Sequence, residues 1–162
     1  MSRFRKFWHL RGREKLLFFE ACILLLVSNL SVKTIAFRNI ESYLQAHWNK
    51  RTRDGIVRSD DAKNDIKLVD LSLSRAANAL PWNSMCLSRS ITQLIMLRRR
   101  GIPAVLFAGV KSLEDSSLSA HAWVRTGDDL MDMSSDRAEN AEFAVLLRIG
   151  EGPFADSSGN SV

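Results

Sequence analysis

The chain predicts an α+β domain, because two apolar rhythms follow one another along it. Apolar residues recur every three or four positions as far as Leu97, and after Pro103 they fall in strand-length segments, a continuous apolar run at Pro103–Val110 and an alternating one at Ser119–Thr126. Gly101 and Pro103 punctuate the change, and helices followed by strands is the order of an α+β architecture.

Residues 12–47 carry two helical segments. Leu16, Phe19, Ile23, Leu26 and Leu30 form a stripe at helical spacing, and Ile35, Ile40, Tyr43 and Leu44 extend it. From Trp48 to Asp61 the chain is polar and rich in Arg, Asp and Gly, as loops are. A further helix places Ile66, Val69, Leu73, Ala76, Ala77 and Leu80 on one face, and Pro81 ends it. Asn83 or Ser84 then caps a helix whose buried stripe is Leu87, Ile91, Leu94 and Ile95. Arg98, Arg99 and Arg100 fill its last turn, where cations complement the helix dipole, and Gly101 stops it. Pro103–Val110 and Ser119–Thr126 are predicted strands, a turn at Gly127-Asp128 leads to a short strand Asp129–Met133, and Ala141–Ile149 is extended. The Gly, Ser, Asp and Pro content after Ile149 predicts a frayed tail. The expected divisions are 1–61, a basic arm and helical region suited to docking; 62–149, a catalytic core; and 150–162, the tail.

At 162 residues the chain is long enough for one real core, and 46% apolar with 25% charged residues excludes global disorder. The net charge of +5 is local. Of 23 basic and 18 acidic residues, six and one fall within residues 1–15, which leaves seventeen of each sign elsewhere. A neutral body without aromatic interleaving gives no case for nucleic acid. The two cysteines, Cys22 and Cys86, have neither metal nor disulfide spacing, and Cys22 sits in an apolar run as a small hydrophobe. Glu20 breaks the apolar stretch after the basic start, so neither an export signal nor a membrane span is expected, and the expected compartment is the cytoplasm.

The chemistry starts at Cys86. Under either cap it falls in the first turn of its helix, where unpaired N–H groups favour the thiolate that attacks carbonyls. Thirty-five positions on, His121 alternates with its neighbours: Ala120, Ala122 and Val124 point one way, and His121, Trp123 and Arg125 the other. A lone histidine is more often satisfied by a backbone partner, and His9 and His47 take that bland reading outright. For the acid, a two-residue hairpin loop puts Asp132 on the His121 face; Asp129 then points away and Asp128 sits too near the turn. A three-residue loop reverses that parity. A Cys/His/Asp metal site would have three ligands of unusual composition and ranks well behind nucleophilic catalysis.

Cys86-Leu-Ser-Arg-Ser, then Leu97-Arg-Arg-Arg-Gly-Ile-Pro-Ala with Val105-Leu-Phe-Ala-Gly-Val, then Ala120-His-Ala-Trp-Val resemble the transglutaminase-like leader peptidase of lasso-peptide biosynthesis. The resemblance covers residues 81–133. It implies a papain/transglutaminase-like cysteine protease fold with N-terminal helices and a C-terminal antiparallel sheet. Cys86 would be the nucleophile, His121 the general base and then acid, and Asp132 the orienter of the imidazole, with no cofactor and no metal. The turn Thr126-Gly-Asp-Asp is about a residue shorter than the family pattern. The substrate implied is a ribosomally made precursor peptide, in antibiotic-type maturation. Its leader would be read by a separate recognition protein, since the first eighty residues hold no strand-rich module, and an ATP-dependent macrolactam-forming enzyme would work alongside. The Leu16–Leu30 stripe is the expected docking surface. The rival readings are an acyltransferase using the same three residues, and a non-catalytic scaffold lying on a membrane surface.

Overall fold

A computed structural model describes residues 12–48, 59–81, 86–113, 117–126 and 143–150. Four helices precede three strands among them: α1 (Gly12–Thr34), α2 (Phe37–Trp48), α3 (Ser59–Ala79), α4 (Cys86–Arg98), β1 (Ala104–Ser112), β2 (Leu118–Thr126) and β3 (Ala144–Ile149). The α+β expectation therefore holds, and α3 begins within the span expected as loop. Polar composition is shared by loops and by the solvent-facing first turn of a helix, so it does not fix that boundary. Residues Asp129–Met133, expected as a strand, and the caps Asn83 and Ser84 lie outside the described residues.

The strands form one antiparallel sheet in the order β2-β1-β3. Leu113 N–H donates to the Ser117 carbonyl at 2.8 Å, closing the β1–β2 connection. The register pairs Leu106 with Val124, Phe107 with Trp123 and Gly109 with His121. Alternation then sorts the side chains. Ala104, Leu106, Val124 and Ile149 join the helices in the main core, and Val105, Phe107, Trp123 and Phe143 form a smaller cluster on the other face.

Helix α4 lies at the centre, packed on α1, α3 and the sheet. Of the expected stripe Ile91 and Leu94 are buried and Leu87 and Ile95 only partly so, while Met96 and Leu97, outside that stripe, are fully buried. The opposite side is also buried, with Ser88, Thr92 and Gln93 inside. Its end closes as a left-handed cap. Gly101 has φ 72°, its N–H donates to Arg98 O, and Ile102 N–H donates to Leu97 O. Arg98 folds back into the interior, its guanidinium donating twice to Ala104 O at 3.1 and 2.9 Å. Arg99 and Arg100 both pair with Glu20 of α1. The arginine triplet is thus the joint between α4, β1 and α1.

In α1 the stripe expected from spacing proves to be the outer one. Leu17, Ala21, Leu25, Ser28 and Asn29 are buried, whereas Leu16, Phe19, Ile23, Leu26, Val27 and Leu30 are exposed. Both stripes have helical spacing, and the polar contacts of Glu14 with Arg75, Glu20 with Arg99 and Arg100, and Ser28 with Thr92 distinguish them. Two adjacent leucines test this orientation. Leu25→Ala should cost about 2–5 kcal/mol and Leu26→Ala at most about 0.5 kcal/mol, read from urea unfolding of the full chain. Equal losses would mean that the helix is rotated.

Candidate active site

Cys86 is the first residue of α4, partly buried and unpaired with Cys22. Burial raises the thiol pKa of Cys22 above its ordinary value, which keeps that sulfur protonated and poorly nucleophilic. Ser90 follows Cys86 by four residues and so shares its side of the helix. The Ser90 hydroxyl donates to the Ala122 carbonyl at 2.8 Å, and Ala122 is the residue after His121. A buried strand carbonyl is thereby satisfied, and the start of α4 is fixed against the middle of β2.

The His121 ring lies on the other face of β2, within an aromatic group. Its centroid is 6.0 Å from Trp123, nearly parallel, and 5.5 Å from Phe143. Phe107 stacks on the far side of Trp123 at 5.8 Å. This packing orders the plane of the imidazole. Among the described residues no hydrogen bond joins the Cys86 sulfur to His121. The structure brings together the helix start and the strand, and it leaves the thiol and the ring unbonded. Asp132, with Asp128 and Asp129, lies outside the described residues.

Gly109, facing His121 across the β1–β2 pair, is the residue whose role spacing alone did not reveal. The β1–β3 register shifts between Ala108, paired with Leu147, and Gly109, paired with Val145, so β3 bulges at Leu146 beside this glycine. A Cβ there would stand 2.7 Å from the Ala144 carbonyl oxygen and 3.2 Å from Phe143 Cβ. The missing side chain is what admits Phe143 beside the imidazole. The available signal was a glycine inside an otherwise bulky strand, Val105-Leu-Phe-Ala-Gly-Val. Phe143 had no signal of its own, because its contacts are made with residues far along the chain, His121 and Gly109.

Near the start of α4, Asp70 of α3 is half-buried, and burial raises its pKa against the opposing attraction of Arg89. Arg89 follows Cys86 by three residues and places a cation on the same helix turn. Among the described residues no three His, Cys, Asp or Glu side chains are grouped so as to hold a metal ion.

These features define a class: an α+β domain with a cysteine at the start of its central helix, packed on an antiparallel sheet that carries a histidine. The chain belongs to the transglutaminase-like superfamily, whose profile matches residues 25–148, from the middle of α1 to the end of β3. Cysteine peptidases and acyltransferases both occur in that superfamily. Neither the curated proteins nor the solved structures supply a match.

Two variants probe the site without presuming a substrate. Gly109→Ala should lower stability by about 1–3 kcal/mol and shift the His121 ring proton resonances, as Phe143 is pushed away. Unchanged His121 resonances would show that the glycine does not set the ring's surroundings. For Asp70 the folded-state pKa lies above the unfolded value, so the folded chain binds that proton more tightly. The contribution is present below the ordinary value of 3.8 and is lost as pH rises through the raised value. Asp70→Asn should therefore raise the urea midpoint at neutral pH, and the gap from the parent should close on acidification.

Proposed function

We propose that this protein is a cysteine peptidase that removes the leader from a ribosomally made lasso-peptide precursor. The observation that carries the reading is the fastening of α4, at the turn after Cys86, to the strand that bears His121. The motif ensemble around Cys86, Gly101, Gly109 and His121 supports the choice of substrate class. Superfamily membership supports the class of chemistry.

In this mechanism the Cys86 sulfur attacks the scissile carbonyl carbon, forming a C–S bond while the carbonyl oxygen takes up negative charge. Backbone N–H groups at the start of α4 are suited to hold that oxyanion, since the first turn of a helix has no internal acceptors for them. The C–N bond then breaks, and His121, protonated by the thiol, returns the proton to the leaving amine. A thioester remains on Cys86. Water deprotonated by His121 attacks it, the C–S bond breaks, and the thiol is restored. Asp132 would orient the imidazole. The precursor would be presented by a separate leader-recognition protein, which raises the concentration of the scissile bond at the thiol, and the product would pass to an ATP-dependent macrolactam-forming enzyme.

The test is mass spectrometry of a lasso precursor incubated with the full chain and a leader-recognition protein. Two fragments whose masses sum to the precursor plus one water are expected. Fusion of the precursor to an added amine would assign acyl transfer instead, and an unchanged precursor would remove the reading. Cys86→Ala and His121→Ala should each lower the rate by about a thousandfold or more, because members of one catalytic unit are not additive. Asp132→Asn should retain measurable activity. If Asp129→Asn is the damaging change and Asp132→Asn is silent, the acid is Asp129.

A further inference from the structure

The outer face of α1 is apolar without a gap. Leu16, Phe19, Ile23, Leu26, Val27 and Leu30 are each more than half exposed, reaching 73% at Leu16. At 100° per residue they fall within an arc of about 100°, along about 21 Å of helix. The two acids of the helix are turned away from this arc. Glu14 pairs with Arg75 at 3.0 Å, and Glu20 with Arg99 and Arg100. The hydroxyl of Thr34 at the end of the strip is bonded to its own helix, at Leu30 O. Immediately before the helix the sequence MSRFRKFWHLR places Arg3, Arg5, Lys6 and Arg11 among Phe4, Phe7 and Trp8.

We propose that the outer face of α1, with the basic aromatic segment before it, docks the domain on an anionic lipid surface. The helix lies in the plane of that surface, with the six apolar side chains in the acyl boundary. Helix length and hydropathy alone would also allow a span, at 23 residues and a mean hydropathy of 1.8. Spanning would tear Leu17, Ala21 and Leu25 from the core and break the ion pairs of Glu14 and Glu20, whereas lying flat disturbs neither. A protein partner is the poorer fit. Protein interfaces carry about one hydrogen bond per 100–200 Å², and no side chain in the arc between Leu16 and Leu30 offers one, while an acyl boundary requires none. The local charge completes the match, since cations flanked by aromatic rings suit anionic headgroups at the interface. This departs from the membrane-free expectation, which rested on Glu20 interrupting the apolar run. In the fold Glu20 lies beside the apolar arc rather than within it, and Arg99 and Arg100 neutralise its charge.

Co-sedimentation of the full chain with large vesicles decides the matter. Vesicles of phosphatidylcholine mixed with phosphatidylglycerol should bind the protein about tenfold or more tightly than phosphatidylcholine alone, and added salt should weaken the binding. The double substitution Ile23→Glu with Leu26→Glu should lower binding to the mixed vesicles by about tenfold or more, with an unchanged urea midpoint because both side chains are exposed. Arg3→Gln, Arg5→Gln and Lys6→Gln together should remove the preference for the anionic mixture. Three results would overturn the proposal: no binding to either vesicle, equal binding to both, or undiminished binding by the Ile23/Leu26 variant. Self-association, or a complex with a leader-recognition protein, that this variant abolishes while vesicle binding persists would give the face to a protein and overturn it as well.

Discussion

The burial of α4 on both sides is the constraint from which the rest follows. A helix enclosed by α1, α3 and the sheet cannot leave polar groups unpartnered, because each would cost about 1–3 kcal/mol. Its interior polar side chains accordingly serve as fasteners. Ser90 bonds the Ala122 carbonyl, Thr92 bonds Ser88 O and the Ser28 hydroxyl, and Arg98 bonds Ala104 O. Each fastener joins α4 to a different neighbour or to itself, so the helix is held in rotation and along its axis. Cys86, at its first residue, is therefore carried on a helix held in rotation and along its axis, which suits the nucleophile proposed for it.

Two ends of the same helix do different work. At its start Ser90 fastens the turn after Cys86 to the sheet. At its close the Gly101 cap sends the chain into β1, while Arg99 and Arg100 hold Glu20. That ion pair orients α1. Because α1 is apolar around most of its surface, burial of hydrophobic area alone would not choose which side faces inward. Directional contacts from Glu14, Glu20 and Ser28 make the choice, and they leave the outer leucines to water or to another surface.

The sheet applies a similar economy to His121. Its ring is framed by Trp123 and Phe143, and the frame exists because Gly109 leaves space for Phe143 and the Ala144 carbonyl at the start of β3. Cations flank the frame: Lys111 Nζ is 5.0 Å from the Phe143 ring, and Arg125 and Arg148 lie over Phe107 at 5.9 and 6.0 Å. Aromatic faces attract cations, so these contacts add to the order of the cluster. The imidazole is thus held by a packed surface on one face of the sheet while the thiol belongs to a helix packed on the other. Ser90 to Ala122 is the connection between them.

By itself the sequence determined the class of fold, the order of its elements and the place of Cys86 at a helix start. These depend on local rhythm, on Pro81 and Gly101 as stops, and on strand alternation, all of which act over a few residues. It also placed His121 opposite Ala122 and Val124, since alternation is a property of any strand. The tertiary structure decided which of two equally periodic stripes of α1 is buried, that the Arg98–Arg100 triplet is an internal joint, and that Gly109 and Phe143 surround the imidazole. In each of these the deciding contact lies between residues far apart in the chain, such as Glu20 with Arg100 or Gly109 with Ala144. Local pattern carries no record of such contacts, because side chains with the same spacing can satisfy it on either face.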